Sequence, residues 1–266
     1  MAAFYRDELT EFDIGQIAES GQCFRILPCG EGTWEAAAFG KRLMISMDDR
    51  RIVFSCSQDE FDDIWRSYFD LDTDYGAFIR SIDPEDKYLL SAAKAGSGIR
   101  ILRQDTWEMM VTFVISQNNN IPRIRGIVNA LCEKLGRDGA FPEPEILCTA
   151  DLSGFRMGYR DVYVSGLARS VAEGELSPEM FEALTDQDAR KLLLSLKGIG
   201  PKVADCILLF GLHRLDYMPM DTWMKKIIKE QYGGHFPTER YRGYNGVMQQ
   251  YLFNFARNQL GVADAD

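Results

Sequence analysis

From about residue 91 onward, apolar residues recur at helical spacing almost without interruption. The run DTWEMMVTFVISQ is a strongly apolar helix with Asp105 as its N-cap. In NIPRIRGIVNALCEKLG, Ile124, Ile127, Val128, Leu131 and Leu135 form one stripe, and Gly136 stops it. Further helices fit RDVYVSGLARSVAEG, DQDARKLLLSL, PKVADCILLFG, DTWMKKIIKEQYG and YNGVMQQYLFNFARNQLG. The first 90 residues read differently. TWEAAAFGKRLMISMDDRRIVFSCS has short apolar stretches separated by a Phe-Gly-Lys-Arg break and an Asp-Asp-Arg-Arg turn, which predicts an antiparallel meander. A helix follows in QDEFDDIWRSYFD, where Phe61, Ile64, Trp65 and Tyr68 share a face. No repeat of solenoid period is visible. The predicted class is α+β: a small N-terminal antiparallel sheet domain over residues 1–92, then a mostly helical region over 93–266.

Composition leaves that picture unchanged. The chain has 266 residues, 46% of them hydrophobic and 26% charged, enough for one large domain or two to three small ones. No window holds the roughly 18 uncharged apolar residues of a membrane span. The N-terminal MAAFYRDELTEFD is acidic early and lacks a signal peptide's apolar run. The expected location is the cytoplasm, with the nucleoid in a prokaryote, or the nucleus in a eukaryote, although no nuclear-targeting tail is recognisable. Six cysteines at 23, 29, 56, 132, 148 and 206 match no zinc or iron–sulfur spacing and are expected to be buried free thiols. Two histidines leave room for a Ser-His-Asp triad, but no Gly-x-Ser-x-Gly turn supports one.

Charge narrows the partner. A net charge of −10 argues against a protein that coats nucleic acid nonspecifically. The charge is uneven, however. Residues 48–87 carry twelve acids and five bases, and the rest of the chain is nearly balanced. Local basic groups follow at Arg100, Arg103, Arg123, Arg125, Arg156 and Arg160, and at Lys225, Lys226 and Lys229. They fit either solvated faces or a DNA-facing surface.

The chemistry-bearing stretch is DARKLLLSLKGIGPKVADCILLFG, a helix, a tight turn and a second helix, with the hairpin at 190–210. Gly198 and Gly200 permit positive φ and close backbone approach, and Pro201 suits the first helical position. The turn's N–H groups and the second helix's N-terminus form an anion site apt for one DNA phosphate, although such a turn also serves as a plain connector. Lys202 stands where partial positive charge disfavours a cation.

The hairpin, its lysine and the aspartate of YMPMDTW resemble the helix-hairpin-helix DNA glycosylase superfamily. GQCFR at 21–25, SQNNNIPRI at 116–124, MGYR at 157–160 and VADC around Cys206 narrow the likeness. Together they are similar to its 8-oxoguanine glycosylase/AP lyase branch, in family order from Gly21 to Phe253. The resemblance implies a helical glycosylase core in two subdomains and a double-stranded DNA partner containing 8-oxoguanine. It further implies a monomer without cofactor or metal, which excises the lesion, preferably opposite cytosine, and nicks the abasic site by β-elimination. Lys202 would be the Schiff-base nucleophile, its neutral form favoured by the helix N-terminus, and Asp221 its catalytic partner beside an N-cap role. Gly21, Cys206, Gln249 and Phe253 would form the lesion pocket. Asn118, Arg123 and Arg160 would read the orphaned cytosine, Tyr159 would act as a wedge, and Gly198 and Gly200 would hold phosphate.

There are departures. Trp223 lies where better-known eukaryotic members carry histidine, which puts a phosphate contact there in doubt. No iron–sulfur cysteine set follows the last helices, which argues against the endonuclease III and adenine-glycosylase branches. The alternatives are a superfamily glycosylase for other oxidised or alkylated bases, or a noncatalytic DNA-binding hairpin module. Lys202 with Asp221 favours an enzyme, and Gly21, Asn118, Arg123 and Gln249 favour 8-oxoguanine.

Overall fold

Alternation of apolar and polar residues in the first half produces one antiparallel sheet. The computed structural model describes residues 4–6, 9–48 and 51–259. Strands β1 (Phe4–Arg6), β2 (Ile26–Gly30), β3 (Thr33–Ala38), β4 (Lys41–Asp48) and β5 (Arg51–Phe54) lie in the order β1-β5-β4-β3-β2. β2 to β5 form the expected meander, and β1 adds to the free edge of β5. The Phe-Gly-Lys-Arg break is shorter than the sequence suggests. Phe39 (φ +50°) and Gly40 (φ +71°) make the turn, and Lys41 already pairs with Ala38. Along β4 the two-residue period buries Leu43 and Ile45 and exposes Met44. Residues 1–3 and 7–8 of the acidic N-terminal stretch, and 49–50 of the Asp-Asp-Arg-Arg turn, lie outside the described residues.

A helical stretch, 58–68, covers the sheet and contains one π-type turn, Phe61–Trp65. It inserts Phe61, Trp65 and Tyr68 into the sheet core, where Phe54 and Phe61 stand 4.8 Å apart. The helical region that follows includes Thr106–Ile115, Ile121–Leu135, Arg160–Ala172, Asp186–Ser195, Pro201–Phe210, Thr222–Gln231 and Asn245–Gln259. Their starts are set by short polar side chains. Asp105 accepts from the Glu108 N–H at 2.7 Å, Asn120 from Arg123 at 3.0 Å and Thr185 from Asp188 at 3.2 Å. Each such cap contributes about 1 kcal/mol.

Two apolar cores result, one under the sheet and one among the helices. The chain crosses between them more than once. The Lys87–Ala95 helix, which straddles the expected boundary at 92/93, packs on the final helix, Phe24 joins the helical core and Leu102 returns to the sheet core.

A polar seam centred on Asp70 absorbs one of the expected basic groups, Arg100, and pairs with a second, Arg103. Arg100 is 4% exposed and donates to the carbonyls of Asp70 (2.7 Å) and Glu11 (2.8 Å). Arg103 and His213 pair with the Asp70 carboxylate at 3.0 and 3.2 Å. Against the burial that would raise it, His213 and Arg103 hold that carboxyl below the usual range. Arg100 therefore organises the interior, whereas Arg103 reaches the buried Asp70 carboxylate from an exposed position. The cysteine expectation also needs correcting. Cys23, Cys56, Cys132 and Cys206 are buried free thiols, Cys148 is half-buried and Cys29 is exposed on the edge strand β2.

Candidate functional site

The hairpin forms as the glycine pattern requires, with a division of labour between its two glycines. Gly198 adopts φ +88°, and a Cβ there would stand 2.5 Å from Cγ of Tyr163. Only glycine fits that position. Gly200 is in ordinary extended backbone (φ −93°, ψ 177°) and has open space where a Cβ would be. Its glycine is not needed for φ, and what it leaves is room beside the helix N-terminus. Gly200 is the N-cap and supplies no side-chain bond, so the first N–H groups of Pro201–Phe210 lack a capping side chain.

Lys202 follows in the first turn, half-buried, with Nζ 5.7 Å from the centre of the Phe113 ring. Phe113 is itself stacked on Phe210 at 5.4 Å and set edge-on to Phe24 of the GQCFR segment at 6.5 Å. One turn on, Cys206 is 2% exposed. Burial pushes its thiol up to about 11, with the Lys202 ammonium pulling the other way. It is a packing group and no thiolate. Asp221 caps Thr222–Gln231, accepting from the Met224 N–H at 2.7 Å. Burial holds its carboxyl above the usual carboxylate range, although the Met224 N–H and the Lys202 charge oppose this. Lys202, Cys206 and Asp221 thus share one electrostatic neighbourhood.

Of the other expected pocket residues, Gly21 and Phe253 stand close to each other. Gly21 has φ +79°, and a Cβ there would meet Ile121 at 3.3 Å and the Phe253 ring at 3.6 Å. Its carbonyl accepts no hydrogen bond among the described residues. Gln249 is buried one helical turn before Phe253 on the last helix, where Gln250 donates to its Oε1 at 3.3 Å. Phe253 is half-buried, and the Arg257 guanidinium lies 5.9 Å from its ring centre.

The expected reader of the opposite strand clusters at the turn after Thr106–Ile115. Asn118 is exposed in left-handed backbone (φ +45°), and its Nδ2 donates to the Tyr159 hydroxyl at 3.1 Å. Tyr159, 51% exposed, lies under the Arg160 guanidinium at 4.6 Å. Arg123 is exposed and donates to the Arg156 carbonyl at 2.8 Å. Arg160 departs from expectation: it is 5% exposed. Its Nε donates to the Gln117 carbonyl (2.6 Å), Nη2 to Asn118 (2.8 Å) and Nη1 to Met157 (2.9 Å). It therefore fixes the loop from inside, with little donor capacity left over.

Sequence reasoning missed Gln117. Its Nε2 donates to the Gly198 carbonyl at 2.9 Å and to Val114 at 3.1 Å. Nothing in SQNNN marks its glutamine as the link to a turn 81 residues away.

Two further features lie apart from these residues. A concavity of about 890 Å³ is walled by Arg25, Phe39, Trp107, Glu108 and Phe141 among others, and contains none of the predicted site residues. Among the described residues, no group of three or more His, Cys, Asp or Glu could hold a metal ion, and no helix is long and apolar enough to cross a membrane.

Comparison with known proteins places this geometry. Residues 5–110 match the family described as 8-oxoguanine DNA glycosylase, N-terminal domain. The chain is 31% identical to the Clostridium acetobutylicum 8-oxoguanine glycosylase/lyase bound to DNA with cytosine opposite 8-oxoG (98% of this chain, 99% of that one, TM-score 0.89). It is 32% identical to MBOgg1 bound to a low-affinity DNA ligand (97% and 99%, TM-score 0.89). The N-glycosylase/DNA lyase of Saccharomyces cerevisiae is 28% identical over 84% of this chain and 69% of its own length. With more than 30% identity to the first two of these proteins over nearly its whole length, the chain belongs to the 8-oxoguanine DNA glycosylase family.

Proposed function

We propose that Lys202 and Asp221 carry out the chemistry of an 8-oxoguanine DNA glycosylase/AP lyase that acts preferentially opposite cytosine. The chain is a bifunctional DNA repair glycosylase, and the assignment of its residues is our reading. The observation that carries this reading is the shelter of one amine, one carboxyl and one thiol at the open end of a helix. Duplex DNA docks a phosphate at Gly200, where the helix N-terminus has no capping side chain and a Cβ would meet open space. A base must leave the stack before its sugar is reachable. The flipped base lies against Phe253 and Cys206, with Gln249 at its Watson–Crick edge. 8-Oxoguanine carries an N–H at N7 where guanine has a lone pair, and the free Gly21 carbonyl supplies the acceptor that distinguishes them.

Lys202 attacks C1′ as a neutral amine, and the C1′–N9 bond breaks with its electron pair leaving on the base. The C1′–O4′ bond then breaks with its electron pair on O4′, which takes one proton from nitrogen, and this opens the sugar to an iminium between Nζ and C1′. Loss of a C2′ proton then breaks the C3′–O bond and nicks the strand. Asp221, ionised, stabilises the positive charge that develops on the sugar. Asn118 and Arg123 face the orphaned cytosine, Asn118 accepting from its N4 amino group and Arg123 donating to N3 and O2, while Tyr159 fills the vacated step. The enzyme acts as a monomer without metal or cofactor, in the compartment that holds the DNA.

The test is single-turnover base release and strand nicking on duplexes carrying 8-oxoguanine opposite C, A, T or G, with a 3-methyladenine duplex alongside. Release of 8-oxoguanine with nicking, fastest opposite C, is expected. Equal rates opposite all four bases would overturn the cytosine reading, and release of 3-methyladenine alone would overturn the lesion assignment.

A further inference from the structure

Two parts of the site are 80 residues apart in sequence and do different jobs: the loop around Asn118 and the hairpin that presents Lys202. They meet at Gly198. On one side, the ring of Tyr163 lies so close that a Cβ at Gly198 would stand 2.5 Å from its Cγ. On the other, the Gly198 carbonyl takes the Gln117 Nε2 hydrogen bond at 2.9 Å. Both supports belong to the reader. Tyr163 lies one turn after Tyr159 on the Arg160–Ala172 helix, with the two rings edge-to-face at 6.0 Å. Gln117 immediately precedes Asn118, and its own carbonyl is clamped by Arg160 Nε at 2.6 Å.

From this we infer that Gln117 is a positioning residue that couples the opposite-strand reader to the lysine hairpin. Its backbone carbonyl is fixed by Arg160 and its side-chain amide fixes Gly198, so a shift of the Asn118 loop moves the turn that starts the Lys202 helix. Cytosine bound at the loop holds the hairpin in register for attack at C1′, whereas a mismatched base leaves it displaced. Selectivity then resides in the rate of chemistry as well as in binding. This rests on the cytosine reading proposed above and adds how that reading reaches the nucleophile. The geometry suits such a role because one half-buried residue is held by Arg160 through its carbonyl and holds Gly198 through its amide.

Three proteins test it: the wild type, Gln117→Met, which keeps the length and loses the donor, and Gln117→His, whose Nε2 can restore a donor near the same place. Single-turnover excision is measured on 8-oxoguanine duplexes with C or A opposite. Affinity is measured for duplexes carrying a stable abasic analogue opposite the same bases. One neutral hydrogen bond lost should slow excision opposite C by roughly 5- to 10-fold. Excision opposite A should fall little, affinities should stay within about 2-fold, and Gln117→His should recover most of the C-over-A ratio. Equal slowing opposite C and A, or an unchanged ratio in Gln117→Met while the wild type prefers C, overturns this inference alone. A wild type indifferent to the opposite base overturns the cytosine reading and this inference with it. If Gln117→Met unfolds, a Gln117→His protein that folds but keeps no preference for C also overturns it.

Discussion

Around Lys202 the polar groups are few and sheltered. Asp221 is half-buried with its carboxyl raised by burial, Cys206 is buried and protonated, and the lysine lies over Phe113. Around Asn118 the side chains that would face DNA stand in water, and the order comes from beneath. Asn118, Arg123 and Tyr159 are exposed, while the buried Arg160 clasps the backbone carbonyls of residues 117, 118 and 157. Chemistry needs a dry setting in which one charge can stabilise another. Reading a base needs donors and acceptors that are free until DNA arrives and a backbone that holds them still. The difference sets a buried arginine that holds backbone carbonyls against exposed side chains on the same loop.

Substitutions that act on one region and spare the other would sharpen this contrast. The largest effect is expected for Lys202→Gln, which should bind lesion duplex and yet show no base release in single-turnover assays. Full activity would sink the mechanism. Next, Asp221→Asn keeps a good N-cap, because asparagine caps about as well as aspartate. Its melting temperature should stay near wild type while excision falls about 100-fold or more. Because burial raises the folded carboxyl above the ordinary 3.8, the wild-type rate should rise with pH through a value above that figure, and this limb should vanish in the variant. The stability sign runs the opposite way. A raised carboxyl favours the folded state below the ordinary carboxylate range and loses that contribution as pH rises through the folded value.

In the reader region the two arginines should separate. Arg123→Ala should flatten the preference for C, by roughly 1–3 kcal/mol of discrimination, with little change in thermal stability. Arg160→Ala leaves buried carbonyls without donors, so it should lower the melting temperature as well as the preference. Equal behaviour of the two variants would break the distinction between base-facing and loop-holding roles. The smallest expected effects concern the hairpin glycines. Gly198→Ala should destabilise by about 2 kcal/mol, because it combines positive φ with a clash against Tyr163. Gly200→Ala, in ordinary backbone with open space, should fold as well as wild type or better by a few tenths of a kcal/mol. It should weaken duplex binding, and unchanged affinity would argue against phosphate docking there.

Much of this was legible in the sequence because local rules govern it. Periodicity marked the long helices, Asp105 and Asp221 marked their starts, and the Gly-Ile-Gly-Pro turn marked the hairpin. The illegible parts depend on partners distant in the chain. Strand β1 is three residues long and exists through pairing with β5. Arg100 and Arg160 read as surface cations, but backbone carbonyls far from them in sequence draw them inside. No reading of the sequence singled out Gln117, and its link to the hairpin is seen only in the 2.9 Å bond to the Gly198 carbonyl. The two glycines of the hairpin were indistinguishable as letters and differ by the sign of φ.

The central claim is that one particular amine forms the covalent intermediate. Borohydride added during turnover of an 8-oxoguanine:C duplex, followed by proteolysis and mass mapping of the DNA-bound peptide, tests it directly. The account predicts a single adduct on Lys202. An adduct on another lysine or on the N-terminal amine, or base release and nicking with no trapped species, would contradict it.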